Sequence, residues 1–470
     1  MKRILFFTFF SLVCFPLLAG GPFMVDRVTR SGEPARWPFD DVKQKWVVKW
    51  RADNGPLNVR VDRATALSWM TDLFSKWQNV SLNLPNGSAV STVAIEFQKD
   101  GDGKVGEDIT KENHEAYTFP DLSNPMPATI IFDVDGSIIA DYTGDPNAKK
   151  SIAGMGTPFP KGNSKDIYGG IILLNGLLVN GVNTAADPEI TQEQFKAVIL
   201  HELGHLLNLD HTQVNLESAL SCSLTSECST GVNIPTMFPE LKSTEQIGLH
   251  RDDKVTISWL YPNQTFKDSF CFVQGEIKNA ADGNPMPGVN VIARQVSDPQ
   301  RDARSMVSGV LYPYSPNRTL HGDYILSGLL PGFDYEVIYE ELASDKYKES
   351  SGFEPMDDLS PQGFGSGHIP ASGGATTIRC ERGGQVITMP AFSLSPTSSE
   401  SENDGAGAGS IDTSEGSSGK GWCQLTSDSS FRTFNDHVLE IFWIFSLFGV
   451  FIWRRRIGTG KKSVSGFIPR

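Results

Sequence analysis

The chain has 470 residues, of which 39% are apolar and 20% are charged; this composition is typical of folded soluble domains and excludes a collagen, a coiled coil or a disordered tail. At roughly 100 to 200 residues per domain, the length predicts two or three domains. Acidic residues outnumber Lys and Arg by 55 to 41, which gives a formal net charge of -14, and such a surface repels phosphate backbones, so nucleic acid is excluded as a partner.

An N-terminal export signal is predicted from charge and hydropathy. Lys2 and Arg3 precede an apolar run at residues 4–18, and small residues suited to a signal peptidase follow at 19–21. This order of basic, apolar and small residues is typical of a secretory signal peptide. We therefore expect residues 1–21 to direct export, so that the folded protein lies outside the cytoplasm, at the cell surface, anchored in the membrane or released.

Residues 22–265 are predicted to form a mixed α/β domain. Asp62 opens a helix whose apolar residues recur every three or four positions, which predicts one buried face. Thr191 and Gln194 have the spacing of a capping box and start a second helix with an apolar stripe. Four short runs rich in β-forming residues are interpreted as strands, at 93–97, 129–132, 137–142 and 170–174. A few strands and two helices predict a two-layer α+β arrangement.

Two acidic turns lie between these elements. Asp100 and Asp102, in Asp-Gly-Asp-Gly, could offer hard oxygen ligands to Ca²⁺. Their surroundings do not have the spacing of an EF-hand, and a plain acidic turn is the alternative. Residues 133–136, Asp-Val-Asp-Gly, join two apolar runs and are predicted to form a hairpin turn.

The residues that can carry chemistry lie in one short segment. His201 and His205 are four positions apart, so on a helix both imidazoles lie on one face and can bind a single Zn²⁺. Glu202 is placed to take a proton from a water beside that metal. His211 can join the metal only if the helix ends near Asn208 and the chain turns back. Asn tolerates the left-handed backbone that such a turn needs, so Gly is expected to be tolerated in its place and Val is not.

This segment resembles the HExxHxxGxxH motif of the metzincin metalloproteases, with Asn208 where the family has Gly. Met237, in Ile-Pro-Thr-Met-Phe-Pro, looks like the family's Met-turn, and residues 249–262 resemble the C-terminal helix of the matrixin branch. The resemblance covers about residues 40–262. It implies a zincin-like catalytic domain, in which a twisted sheet lies over an active-site helix, one catalytic Zn²⁺ on the three histidines, the glutamate as base, and protein or peptide substrates.

A small all-β sandwich is predicted over residues 269–392. Short strands alternate there with turns that contain Gly and Pro, at 273–277, 289–293, 324–327 and 335–339. The stretches at 283–296 and 322–340 look like the transthyretin-like, carboxypeptidase-regulatory sandwich. That resemblance implies a spacer or a binding module.

The C-terminal part is predicted to attach the protein to a membrane. Residues 393–437 are dominated by Ser, Gly, Asp and Glu, which predicts a flexible linker. Residues 438–453 are largely apolar and arginines follow, so we predict a transmembrane segment with a basic cytoplasmic tail at 454–470. Gly-Lys-Gly-Trp-Cys at 419–423, followed by apolar and basic segments, also resembles bacterial C-terminal sorting signals. A permanent anchor and a removable sorting signal are therefore alternatives.

The chain contains six cysteines, which suits the oxidising space that the export signal predicts. The simplest arrangement pairs Cys222 with Cys228 and Cys271 with Cys380, because each pair lies within one predicted domain. Cys423 is then left unpaired in the linker.

These features together predict a secreted or surface-anchored zinc-dependent endopeptidase that cleaves protein substrates with a zinc-activated water. The alternative is a non-catalytic surface adhesin or binding protein, in which the zinc is structural and the sandwich binds the partner. Glu202 favours the enzyme, because a structural site needs no base. Three histidines also leave the fourth position of zinc open, as catalytic sites do.

Overall fold

The computed structural model describes residues 20–120, 123–161, 165–184, 189–222, 228–342 and 364–395. Residues 1–19 of the predicted signal peptide lie outside the described residues, as do the linker beyond residue 395, the predicted transmembrane segment at 438–453 and the basic tail. None of the described helices is long and apolar enough to cross a membrane. The described part is a mixed α/β structure rich in strands, and it belongs to one compact unit.

A mixed sheet forms the framework of the chain before residue 270. The strands described there are β1 (Phe39–Asp40), β2 (Lys45–Ala52), β3 (Ser81–Asn83), β4 (Ala89–Ser91), β5 (Ile95–Lys104), β6 (Ala128–Asp133), β7 (Gly154–Pro160) and β8 (Ile167–Asn175). Six of these described strands form one sheet in the order β1-β2-β6-β8-β7, with β5 also paired to β2. Strands β2, β5, β6 and β8 are parallel, and β7 lies antiparallel to β8 at the edge. The inner strands β6 and β8 are almost wholly buried, as their Ile- and Leu-rich sequences predict.

Two long helices contribute to the same core as this sheet. The described helices before residue 270 are α1 (Arg63–Gln78), α2 (Glu115–Thr118), α3 (Ser137–Thr143), α4 (Ala148–Ser151), α5 (Gln192–Leu206), α6 (Leu216–Leu220), α7 (Arg251–Leu260) and α8 (Gln264–Ser269). Helix α1 begins after Asp62, which caps it, and α5 begins with the capping box of Thr191 and Gln194, so both predicted starts are confirmed. The indole N–H of Trp77 in α1 donates to the Leu200 carbonyl of α5 at 3.0 Å, which fixes the two helices against each other.

The prediction of a strand at residues 137–142 is wrong, and so is the hairpin turn before it. Residues 137–143 form α3, which begins after Gly136 in the left-handed conformation at φ 73°. Asp133 at the end of β6 accepts the Ile139 N–H at 2.8 Å and so holds the first turn of the helix. Ile138 and Ile139 are both buried, whereas a strand with one buried face would alternate them.

The described residues between 271 and 394 form two further sheets. Their described strands are β9 (Cys271–Asn279), β10 (Asn290–Gln295), β11 (Ala303–Val307), β12 (Asp323–Leu329), β13 (Asp334–Glu340), β14 (Ser366–His368), β15 (Ile378–Arg379), β16 (Val386–Thr388) and β17 (Phe392–Leu394). One sheet has the order β11-β10-β13-β14 with β15 on β13, and the other has the order β12-β9-β16 with β17 on β9. Val273, Val291 and Val337, from both sheets, share one apolar core. Strand β17 ends two residues beyond residue 392, the predicted C-terminal boundary of the sandwich.

Both predicted disulfides are present in the structure. Cys222 and Cys228 have a Cα–Cα distance of 5.4 Å, and Cys271 and Cys380 have one of 6.4 Å; both distances lie within the range of protein disulfides. The first disulfide follows α6 and joins two cysteines six positions apart. The second joins the start of β9 to the residue after β15, and so links the two sheets.

Candidate metal centre

Helix α5 carries the first two histidines and the glutamate on a buried face. His201 and His205 are separated by about one turn of the helix, and their rings meet edge to face with centroids 4.7 Å apart. The exposed fractions of His201, Glu202 and His205 are 3%, 2% and 5%. Electrostatic interactions between such buried polar groups and their immediate neighbours are stronger than in water, because the interior has a low dielectric constant.

The helix ends where the sequence predicts. Helix α5 stops at Leu206, and Asn208 has the left-handed φ of 71° that turns the chain back. Carbonyl groups in the last turn find donors from distant parts of the chain. The Trp37 indole donates to the Leu206 carbonyl at 2.8 Å, and the Tyr261 hydroxyl donates to the Leu207 carbonyl at 3.0 Å. These bonds satisfy groups that a helix end leaves unpaired, and the reversed chain brings His211 to the site.

Asn208 also joins this turn to the N-terminal segment, residues 20–37. Its side-chain oxygen accepts the Met24 N–H at 2.7 Å, and its amide donates to the Met24 and Ala35 carbonyls at 2.9 and 2.8 Å. The N–H of Phe23 donates to the Asn208 carbonyl at 2.9 Å. The Asn208 side chain is fully buried. Asparagine therefore does more than tolerate the turn, because a glycine would lack all three side-chain bonds.

Asn208→Gly is consequently expected to lower the free energy of unfolding, although glycine adopts the left-handed backbone conformation of this position freely. The variant keeps the turn but leaves the Met24 N–H and the Ala35 carbonyl without the side-chain partner, while the Met24 carbonyl still accepts the Ala35 N–H. The loss costs about 1–3 kcal/mol in all after local rearrangement. Asn208→Val should cost more, because a β-branched residue resists positive φ and also lacks the amide. Urea unfolding of the metal-free variants measures both costs. Equal stability of the two variants would contradict the role of the turn, and a Gly variant as stable as the parent would contradict the role of the amide.

Three imidazoles converge on one point. The Nε2 atom of His211 lies 3.2 Å from the Nε2 atoms of His201 and His205. His201 Nδ1 lies 2.7 Å from the Thr236 carbonyl oxygen, and His205 Nδ1 lies 2.9 Å from the Leu209 carbonyl oxygen. Because a carbonyl oxygen can only accept, both Nδ1 atoms donate, and the Nε2 atoms of these neutral rings keep their lone pairs.

This set of nitrogens fits one metal ion. Tetrahedral coordination with metal–nitrogen bonds of about 2.0–2.1 Å places neighbouring nitrogens about 3.3 Å apart, close to the two distances found. Imidazole nitrogens favour zinc and related transition metals over Ca²⁺ or Mg²⁺, which prefer oxygen. In the described parts of the chain, the three histidines are the one group of three or more His, Cys, Asp or Glu side chains that could hold a metal ion.

Burial keeps the three histidines in the form that binds metals. It lowers the pKa of His201 to about 4 and lowers the pKa values of His205 and His211 well below the usual range. For the latter two, the charge that neighbouring histidines would carry lowers the pKa further. Neutral imidazole is the ligand form, so metal binding does not have to compete with protons at neutral pH.

Glu202 lies against the edge strand β7. Its Oε1 atom is buried and has no hydrogen-bond partner among the described residues, while the Gly156 N–H of β7 bonds to the carboxylate. Burial raises the pKa of Glu202 to about 8. A Cβ atom at Gly156 would collide with the backbone carbonyl group of Glu202. A Cβ atom at Gly154 would lie 2.9 Å from the Glu202 Cγ atom. The two glycines therefore let the strand lie close to the carboxylate.

Met237 packs against the other side of helix α5. A Cβ atom at Gly204 would collide with the Met237 sulfur, so glycine makes this approach possible. The Thr236 carbonyl before it receives the bond from His201 described above. The Asp253 carboxylate at the start of α7 accepts the N–H groups of Thr236 and Met237 at 2.9 and 3.0 Å. Helix α7 thus fixes the segment that orients the first histidine.

The structure brings the three predicted histidines to one point, with Glu202 buried on the same helix as two of them, and does not bring the predicted calcium ligands to a site. Asp100 and Asp102 are exposed and lie within β5, where its pairing with β2 changes register, and Asp102 accepts the Lys104 N–H at 3.0 Å. In the described residues they belong to no group of potential metal ligands, so the Ca²⁺ expectation has no support there.

Two residues of the site were not foreseen from the sequence, Gly156 and Asp253. The sequence around Gly156 does not show that it lies beside helix α5. An acid in the first turn of α7 can be recognised from the sequence, but the groups that it binds cannot.

No protein-family model matches the chain, and no curated protein matches it significantly.

Proposed function

We propose that this protein is an exported zinc metalloendopeptidase of matrixin type, with a zincin-like catalytic domain, that cleaves peptide bonds in protein substrates. One observation carries the proposal: three histidine nitrogens converge on one point, and the buried carboxylate of Glu202 lies on the same helix as His201 and His205. A structural zinc site typically has four protein ligands, whereas three histidines leave one position for water or substrate. The glutamate is not needed to hold the ion, which favours a role in chemistry.

The roles of the residues follow from their positions. His201, His205 and His211 would hold the ion, and when bound Zn²⁺ would polarise the substrate carbonyl and lower the pKa of water. Glu202 takes a proton from the attacking water at its unpaired Oε1 and passes it to the leaving amine. Burial raises the pKa of Glu202, and the positive charge of a bound ion would oppose that shift and keep the carboxylate able to accept a proton. Edge strand β7 offers backbone groups beside Glu202 to an extended peptide.

Substrate access requires a local movement. All four side chains of the motif are at most 5% exposed, so a peptide carbonyl reaches the histidines only after neighbouring groups shift. Phe23 of the N-terminal segment is one such neighbour, with its ring centroid 5.9 Å from that of His205.

The proposed location is outside the cytoplasm, with the membrane reached through residues 438–453. The sequence of residues 1–21 supports export, and the two disulfides are consistent with an oxidising space. The linker at 393–437 would let the folded part reach substrates away from the bilayer.

Casein hydrolysis by the purified protein tests the proposed function. Activity should disappear when a chelator removes the metal and should return when one equivalent of Zn²⁺ is added. Chelator-resistant hydrolysis would contradict a metal-dependent mechanism. A protein that binds zinc, leaves casein and gelatin intact and adheres to a surface ligand would instead support the non-catalytic alternative.

Replacing His205 by Ala is expected to abolish stable zinc binding. Two imidazoles remain in the variant, and a site loses most of its affinity when one of three ligands is removed. The metal content of the purified variant, measured after dialysis, should fall from one equivalent to near zero. His321→Ala in the sandwich is the control and should keep the full equivalent. Full zinc content in His205→Ala would show that the metal lies elsewhere.

A further inference from the structure

The β-sandwich reaches the loop that carries His211. The N–H of Ser305 in β11 donates to Asp252 Oδ1 at 2.7 Å, and the hydroxyl oxygens of Ser305 and Thr212 are 3.1 Å apart. Thr212 directly follows His211 in the chain. Ser305, Asp252 and Thr212 are 6%, 2% and 1% exposed. A strand of the sandwich therefore makes buried polar contacts one residue away from the third histidine.

The same contact extends to the Met237 segment. Asp252 and Asp253 are neighbours at the start of α7; the first accepts from the sandwich, and the second holds the Thr236 and Met237 N–H groups. The Met237 carbonyl in turn accepts the Thr212 N–H at 2.9 Å. With the covalent link between Asp252 and Asp253, these bonds form a closed ring through Ser305, Thr212 and Met237.

Further contacts make this interface part of the folded core. Asn215 and His250 both bond to the Gln300 carbonyl of the sandwich, at 2.7 and 2.9 Å. Arg251 of α7 forms an ion pair with Asp302 at 3.3 Å. Val214, three residues after His211, is buried in one apolar cluster with Ile292 and Ala303 of the sandwich. Such contacts fix the sandwich in place, unlike a module on a flexible tether.

We propose that Asp252 and Ser305 are positioning residues of the metal centre and that the sandwich, through strand β11, is a required part of that centre. The inference rests on the proposed metal site but not on peptide hydrolysis. His211 lies beyond the end of helix α5, so helical hydrogen bonds do not fix its direction. Its own N–H donates to Asp210 Oδ1 at 2.8 Å, and its carbonyl accepts the Gly20 N–H. Thr212, the next residue, is held by Ser305, Asp252 and the Met237 carbonyl, and these contacts set the direction of the chain that carries the His211 ring.

This role differs from one in which the interface only stabilises the fold. A purely stabilising contact would change the unfolding midpoint and leave the bound metal unaffected. A positioning contact changes the ligand field and the affinity of the metal in the folded protein, and loss of groups that orient metal ligands typically costs 10–100-fold in affinity.

Variants of the full chain loaded with Co²⁺ or Zn²⁺ test the proposal. Asp252→Ala removes the acceptor for the Ser305 N–H and should weaken Zn²⁺ binding 10–100-fold in a chelator competition, with a changed Co²⁺ absorption spectrum. Asp252→Asn keeps an acceptor oxygen of the same reach and should restore most of the affinity. Val337→Ala, which opens a cavity in the sandwich core away from the site, should lower the unfolding midpoint and leave affinity and spectrum unchanged.

Parental affinity and an unchanged Co²⁺ spectrum in Asp252→Ala would overturn the proposal. If that variant does not fold, Ser305→Ala decides: it removes only the hydroxyl contact with Thr212 and should lower Zn²⁺ affinity several-fold, and an unchanged affinity would be equally decisive. Failure of the proposed function has a different signature, in which the parent binds Zn²⁺ through the histidines and does not cleave casein. The positioning role would stand in that case.

Discussion

Glu202→Gln is expected to lower the rate of casein hydrolysis by about 10²–10⁴-fold while the metal stays bound, because general-base catalysis typically contributes a factor of that size. Glutamine has the shape of glutamate and can still accept the Gly156 N–H, so the contact with β7 survives. It cannot accept a proton from water at neutral pH. Turnover under saturating substrate and metal content of the same sample are the two measurements needed.

Glu193→Gln is the matched control for this substitution. Glu193 lies in the first turn of the same helix and forms an ion pair with Lys196 at 2.8 Å, with 59% of its side chain exposed. An exposed pair of this kind contributes little, so turnover should be that of the parent. Undiminished hydrolysis by Glu202→Gln would remove the glutamate from the mechanism and leave the non-catalytic alternative as the better account.

The arrangement of the three histidines was predictable because its geometry is local. His201, His205 and Glu202 follow from the pitch of one helix, and His211 follows from a turn at Asn208 that the backbone preference of asparagine allows. Helix starts were predictable for the same reason, since caps lie within three residues of the groups that they satisfy. Each of these inferences needed only a short stretch of sequence.

The groups that support the centre could not be predicted, because their partners are distant in the chain. The Ser305 N–H bonds to Asp252, 53 positions away, and the Ser305 hydroxyl lies against the hydroxyl of Thr212, 93 positions away. Nothing in a β-rich segment with Gly and Pro turns shows which strand faces a metal site. The prediction of a strand at residues 137–142 was wrong for a related reason. The adjacent isoleucines there are compatible with a strand or a helix, and the bond from the Ile139 N–H to the Asp133 side chain favours the helix.

Asp253→Ala should destabilise the fold more than any of the other substitutions proposed above. The carboxylate is 1% exposed and accepts three backbone N–H groups, from Thr236, Met237 and His250, at 2.9, 3.0 and 2.7 Å. Alanine leaves all three donors buried and unpaired, and each such group costs about 1–3 kcal/mol. We therefore expect the free energy of unfolding of the metal-free protein to fall by about 3–5 kcal/mol once partial relaxation is allowed for.

The metal should respond as well, because the Thr236 carbonyl orients His201 and will move when its own N–H group loses Asp253. Zn²⁺ affinity should fall together with the urea midpoint. Asp253→Asn keeps one acceptor oxygen and should show an intermediate loss of both. Asp72→Ala, at an exposed position of α1, is the control and should change stability by no more than about 0.5 kcal/mol. If Asp253→Ala unfolds at the same urea concentration as the parent, then Asp253 does not hold the Met237 segment in solution.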